Sequence, residues 1–347
     1  MNFNIDKPNE TLIEQLQHKI DFKTKPIGSL GVLEQLAVKI GSIQETLSPE
    51  LKKPVIMVFA ADHGIALDGV SPYPQEVTWQ MVANFMAGGA AINVFGRQNN
   101  IDIKIVDAGV NYDFDKNSGV IDAKVAYGTK SYLNNAAMSN EQFELALKRG
   151  ADLAEKMHNE GSNVIGFGEM GIANTSSAAV LLHLLTKVDL KECVGRGTGW
   201  DDEGLKRKYE ILKSAVENYN GDKSIESIFS HFGGFEIVMI AGAMLKAAEL
   251  KMIIMVDGFI ITSALLAASK MNPNVLEYCI FTHKSNENGH KHMLEHLNAN
   301  AILDLGMRLG EGTGAAVAYP IIESAVNFLN QMASFEDAGV SNSDKIN

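Results

Sequence analysis

Glu311 stands between two glycines in the run Arg308-Leu309-Gly310-Glu311-Gly312-Thr313-Gly314, which opens an Ala-rich stretch. A carboxylate so placed is either a charge at a helix start or a functional group on exposed backbone. Glycine on both sides favours the second reading. A second carboxylate, Glu169, lies in Gly166-Phe167-Gly168-Glu169-Met170-Gly171. The glycines there fit the G-x-G-x-x-G dinucleotide fingerprint, so a nucleotide-dependent oxidoreductase is one reading. Against it, Glu169 would face a pyrophosphate, and the segment lies mid-chain. The residues that follow, Asn174-Thr175-Ser176-Ser177, are helix-capping types before an apolar run. Free N–H groups at such a helix start suit a single anionic group.

Three other segments carry candidate chemistry. Gly195-Arg196-Gly197-Thr198-Gly199 alternates glycines, so backbone amides can approach an anion closely. Lys208 follows about two helical turns into the next element and is placed to answer a phosphate. Ser71-Pro72-Tyr73-Pro74 is a stiff loop with an aromatic ring, suited to a flat ligand. The polar run 282–290, from Thr282 through His283 and Ser285 to His290, suits ribose or phosphate hydroxyls. Asp62-His63 hints at a metal, but His63, His283, His290 and His292 lack metalloprotease spacing and Cys193 has no partner motif. No metal and no cofactor are expected.

These segments need a scaffold that gathers them. Short apolar runs at 54–60, 101–106, 163–167, 252–256 and 278–282 have the length and two-faced apolarity of buried parallel strands. Longer stretches with helical spacing follow at 74–97, 175–185, 234–250, 260–270 and 312–330. The alternation predicts an α/β fold with a mostly parallel sheet. Ligands bind such sheets beyond the carboxyl ends of the strands. There lie Asp62-His63, Asp107, Gly168-Glu169, Asp257-Gly258 and His283. Residues 10–20 and 31–43 read as two amphipathic helices with no strand between them.

The divisions expected are a helical segment at 1–45, an α/β core at 46–310 and a C-terminal helix at 311–333 that completes a small helical subdomain. A polar, flexible tail at 334–347 is expected to follow. No repeat or low-complexity tract interrupts the chain.

The 347 residues are 46% hydrophobic, enough for a large core, and the formal charge of −12 argues against nucleic-acid or anionic-membrane surfaces. Cys193 and Cys279 form no disulfide framework and are read as free, buried side chains. Residues 1–7 lack the apolar core of a signal peptide, and no apolar run reaches the ~18 residues of a membrane span. Cytoplasm is the expected location.

Ordered along residues 20–330, the motifs resemble one family. They are Lys25-Pro26-Ile27-Gly28-Ser29-Leu30-Gly31, Ala61-Asp62-His63-Gly64, Gly69 through Thr78, and Gly88-Gly89-Ala90-Ala91-Ile92-Asn93. Gly168 through Thr175, Gly195 through Gly199, Phe232 through Glu236, Asp257-Gly258-Phe259, His283-Lys284-Ser285 and Leu309 through Gly314 complete the set. The family is nicotinate-nucleotide:dimethylbenzimidazole phosphoribosyltransferase, of cobalamin lower-ligand assembly. The resemblance implies a Rossmann-like sheet with helices on both faces, a small helical subdomain and a homodimer.

It also implies roles. Glu311 matches the catalytic carboxylate, with Glu169 assisting. Ser71, Tyr73 and Gln80 match positions near the benzimidazole. Gly171, Asn174, Thr175, Gly197, Thr198, Gly199, Lys208, Ser285, Gly310 and Gly312 match loops around the mononucleotide and its phosphate. Asn286 departs from the small residue the family often carries there. A non-catalytic binding protein of the same fold is the reading from another class, and retention of Glu311 speaks against it.

Overall fold

A computed structural model describes residues 1–197 and 199–341. Its strands are β1 (Val55–Ala61), β2 (Asp102–Gly109), β3 (Ile121–Asp122), β4 (Val164–Met170), β5 (Ile253–Val256) and β6 (Cys279–Phe281). They form one sheet in the order β3-β2-β1-β4-β5-β6, with every neighbouring pair parallel. This is the Rossmann strand order, which reverses direction between β1 and β4 and opens a crevice there. The five expected runs became β1, β2, β4, β5 and β6. The two-residue β3 is too short to leave a periodic signal.

The helices in chain order are α1 (Ile13–Asp21), α2 (Val32–Ile43), α3 (Glu76–Met86), α4 (Ala91–Gln98), α5 (Asn140–Asn159), α6 (Asn174–Thr186) and α7 (Leu190–Cys193). Then come α8 (Asp202–Glu217), α9 (Ile225–Phe232), α10 (Phe235–Glu249), α11 (Phe259–Met271), α12 (His290–His296), α13 (Thr313–Gln331) and α14 (Phe335–Ala338). The stretch expected as one helix over 74–97 is two, α3 and α4, separated around Gly88-Gly89, where Gly88 takes a positive φ.

β1 is Val-Ile-Met-Val-Phe-Ala-Ala and is buried throughout. Helices cover it from both sides, which is why its apolar run does not alternate. α10 lies across β1, β2, β4 and β5 and is buried along nearly its whole length. α5 packs on α10 at close range, because Gly150 and Gly242 leave room for backbone: a Cβ at either would meet a carbonyl oxygen at 2.0 Å or less. α5 itself starts at a capping box formed by Ser139 and Gln142.

A second, smaller apolar cluster joins Leu16, Ile20, Ala37 and Leu329, from α1, α2 and the end of α13. These three helices are the segments assigned from the sequence to a helical subdomain. Beyond α13, Ser334 bridges Lys23 and caps α14, so ordered backbone continues into the segment expected as a tail. Residues 342–347 lie outside the described residues. Cys193 and Cys279 are free and buried. Among the described residues no helix is long and apolar enough to cross a membrane.

Candidate active site

The loops at the carboxyl ends of the strands surround a cleft of about 580 Å³. Its floor is β4 and its two ends are the loops after β1 and β5–β6. Glu169, Gly171, Asn174, Thr175, Gly197, Ser285, Gly310, Glu311 and Tyr73 all line it, so most of the sequence-predicted residues meet in one place.

Glu311 arrives on a strained strap. Gly310, Glu311 and Gly312 have φ values of 85°, 64° and 86°, three successive left-handed residues. For a residue with a Cβ this costs on the order of 1–3 kcal/mol, a strain that persists only where its surroundings enforce it. Two neighbours do so. Gly168 on β4 leaves space for the strap, since a Cβ there would stand 2.2 Å from the Glu311 carbonyl oxygen. Buried Asp257, just past β5, accepts from the N–H groups of Gly312 (3.1 Å) and Ala315 (3.2 Å), and so caps α13 from outside. The His283 ring nitrogen Nε2 lies 3.3 Å from the same carboxylate. The glycines around Glu311 therefore build the strap, and the acid between them is held in the cleft.

Glu311 Oε2 accepts from the Ile92 N–H, 3.3 Å away at the start of α4. Burial raises its pKa above the usual carboxylate range, the Ile92 N–H pulls the other way, and the Asp257 charge adds to the rise. Glu169 is pushed up to about 8, first by burial and then by the nearby Glu236, Asp257 and Glu311 charges, against the hydrogen bond its Oε2 accepts from Asn174 Nδ2. Two buried carboxylates in one cleft, both raised, make this the candidate site for acid–base chemistry.

Beside the cleft, in an adjoining cavity, lies a buried ammonium with the Glu287 carboxylate near it. Lys208 is 1% exposed, yet its Nζ donates to Thr175 Oγ1 at 2.9 Å and to the Gly195 carbonyl at 3.4 Å. Burial lowers its pKa to about 8. Lys208 shares the inner face of α8 with Gly204, Leu212 and Ala215, positions where an amphipathic helix carries small or apolar residues. Arg308 Nη1 donates to the Gly197 carbonyl at 2.9 Å and draws the Gly195–Gly197 loop toward the strap. A small adjoining cavity connects Ser71, Asn174, Thr175, Gly197 and Lys208.

Some expected residues stand apart. Gln80 is exposed on α3, while Val77 and Met81 on the adjacent face line the cleft with Tyr73. Gly199 is exposed, and Gly312 is the buried end of the strap, packed against Ile56 and Gly168. Thr198 lies outside the described residues. Gly166 and Gly168 sit within β4, where they admit Ile56 and the Glu311 strap, so the G-x-G-x-x-G match is strand packing, not a phosphate-binding turn. His63 is fully buried, with Nε2 2.6 Å from Glu236 Oε1 and Nδ1 3.3 Å from Ser177 Oγ. Among the described residues no group of three or more His, Cys, Asp and Glu side chains is disposed to hold a metal ion. Glu287, Arg308, Val77 and Met81 were not singled out from the sequence, and only the polar density of 282–290 pointed toward the first.

A Rossmann-ordered sheet with Glu169 and Glu311 in its cleft and buried Lys208 in the cavity beside it fits a transferase of phosphorylated small molecules. The family described as phosphoribosyltransferase matches residues 5–340, and this chain belongs to it. More particularly, it is similar to the nicotinate-nucleotide–dimethylbenzimidazole phosphoribosyltransferases. That of Dechloromonas aromatica is 55% identical over 343 residues, covering 98% of this chain and 99% of the relative. That of Phocaeicola vulgatus is 52% identical over 339 residues, covering 98% of each. The crystal structure of the Thermus thermophilus enzyme superposes with a TM-score of 0.91 at 37% identity, covering 96% of this chain and all of that one.

Proposed function

We propose that the protein transfers the phosphoribosyl group of nicotinate mononucleotide to 5,6-dimethylbenzimidazole, giving α-ribazole 5′-phosphate and nicotinate in cobalamin biosynthesis. The observation that carries this reading is Glu311, buried on its strained strap in a cleft that adjoins the cavity of Lys208.

The donor's ring nitrogen is a pyridinium. When the bond from C1′ to that nitrogen breaks, nicotinate takes the electron pair and leaves with a neutral ring nitrogen. No pyrophosphate departs, so no metal is needed to neutralise a leaving group. One azole nitrogen of the acceptor forms the new bond to C1′ from the opposite side, which inverts the centre. The other azole nitrogen loses its proton to Glu311. Positioned base catalysis of this kind is worth typically ~10²–10⁴ in rate, and a raised pKa brings the carboxylate nearer the working pH. The Glu311 anion also favours positive charge building on the sugar. Burial pushes the Glu169 carboxyl up to about 8, so it adds less negative charge beside Glu311 than an ordinary carboxylate would.

The phosphate is assigned to Lys208 and Thr175 beside the Gly195–Gly197 loop, with Ser285 and Asn174 toward the ribose. The base is assigned to the wall formed by Tyr73, Val77 and Met81, with Ser71 between it and the cavity of Lys208. Holding two flat rings on either side of C1′ supplies much of the remaining acceleration. We also infer a cytoplasmic homodimer, whose interface would cover exposed Ile27 and Val32; light scattering in solution tests it. Incubation with nicotinate mononucleotide and 5,6-dimethylbenzimidazole, followed by mass detection of α-ribazole 5′-phosphate, tests the reaction. Absence of that product with both substrates saturating would refute it.

A further inference from the structure

The two half-sites of the cleft hang from different strands, yet one buried side chain spans them. Thr78 is on α3, the helix that presents Val77 and Met81 to the base wall and follows Tyr73. Its side chain points away from the cleft and is fully buried. Its Oγ1 accepts from the Ile172 N–H at 3.2 Å, within the turn that carries Gly171, Asn174 and Thr175. Buried Asp62 lies just past the end of β1. Asp62 is fixed in turn, since its Oδ2 accepts from the Asn111 N–H at 2.8 Å. One turn earlier, Gln75 Nε2 donates to the His63 carbonyl at 2.7 Å.

The turn beyond β4 has further ties of its own. Asn174 is held by Glu169, Thr175 by Lys208, and the Asn174 N–H donates to the Gly171 carbonyl at 3.1 Å. The polar ties of the first turns of α3 to the strand ends are Gln75 and Thr78. A buried N–H that loses its only acceptor is destabilised, so replacing Thr78 by an isosteric apolar residue must move the helix or the turn. The helix is the more weakly tied of the two.

We propose that Thr78 is a positioning residue that couples the acceptor-base wall to the mononucleotide turn, so that an occupied mononucleotide site makes the base site tighter. This rests on the substrate assignment above and adds to it a dependence of one site on the other.

The test uses the full-length protein with Glu311→Gln to slow turnover, and titrates 5,6-dimethylbenzimidazole with and without saturating nicotinate mononucleotide. With Thr78 present the mononucleotide tightens base binding severalfold. With Thr78→Val that tightening disappears. By linkage, Thr78→Val also removes the equal tightening of nicotinate mononucleotide by saturating base, while the affinity of each ligand for the otherwise empty protein changes by less than about twofold. Thr78→Ser restores both, because it keeps the hydroxyl. If Thr78→Val fails to fold, Thr78→Ala leaves the same Ile172 N–H unanswered and carries the same expectation. Equal tightening with and without the hydroxyl, or a loss of affinity for each ligand alone together with a lower melting temperature that serine does not restore, overturns the coupling. Absence of product from the unmodified protein would instead sink the substrate assignment, and the two failures are told apart by that control.

Discussion

The two walls of the cleft are built to different standards. The wall with the strap and the phosphate turns is buried and polar, and each charged group is held. Glu311 is fixed by Ile92, its strap by Asp257, Glu169 by Asn174 and Lys208 by Thr175. The wall assigned to the base is apolar and open, with Tyr73 48% exposed. Chemistry and phosphate recognition need close placement of charge, which hydrogen bonds supply. A flat apolar base needs only surface of the right shape, and one methyl group on it shifts affinity by about 1–3 kcal/mol. The difference implies an enzyme strict about its donor and tolerant about its acceptor.

The contrast is broken most forcefully at Glu311. Glu311→Gln keeps the size of the side chain and removes its basicity. It should lower kcat by ~10² or more and leave both KM values within a few-fold, as steady-state kinetics will show. Near-normal turnover would take Glu311 out of the base role. Lys208→Ala should come next, raising KM for the mononucleotide by about tenfold or more, the worth of a hydrogen bond from a charged group, with little change for the base. A rise confined to the base would place the phosphate elsewhere.

A pH series sharpens the same assignment. With a pKa of about 8, Lys208 is charged below that pH and loses its proton above it, so KM for the mononucleotide should climb as pH passes 8. A flat KM through that pH would contradict this. The smallest effect is expected on the open wall. Tyr73→Ala removes a rim-exposed aromatic contact of about 0.5–1.5 kcal/mol, so KM for 5,6-dimethylbenzimidazole should rise about 2- to 10-fold and that for the mononucleotide not at all.

The same asymmetry governs what the sequence reveals. The strands read clearly because buried parallel strands are apolar on both faces, and β1 is the plainest case. The loops on the strap side of the cleft were legible because tight turns and the strap need glycine at fixed spacing. The acceptor wall was harder to read. Val77 and Met81 are ordinary apolar residues at helical spacing, and only the fold shows that their face looks into the cleft rather than the core. Gln80, one position from Met81, was displaced from the wall by that single helical step. The glycines of β4 mimicked a dinucleotide turn because close packing under the strap demands the same residue as close approach to a phosphate. Asp62-His63 hinted at metal chemistry, yet the structure pairs His63 with Glu236 and joins Asp62 to the loop at Asn111. Those contacts are long-range and leave no local pattern.

The sharpest measurement compares two acceptors, 5,6-dimethylbenzimidazole and its N-methyl derivative, which has no azole proton to give up. Single-turnover rates are taken with the unmodified protein and with Glu311→Gln. If Glu311 removes the azole proton, the rate ratio between the two proteins is ~10² or more with the first acceptor and falls at least about tenfold with the second. A ratio that stays the same for both acceptors would mean that Glu311 acts on the sugar or on the fold, and not on the proton.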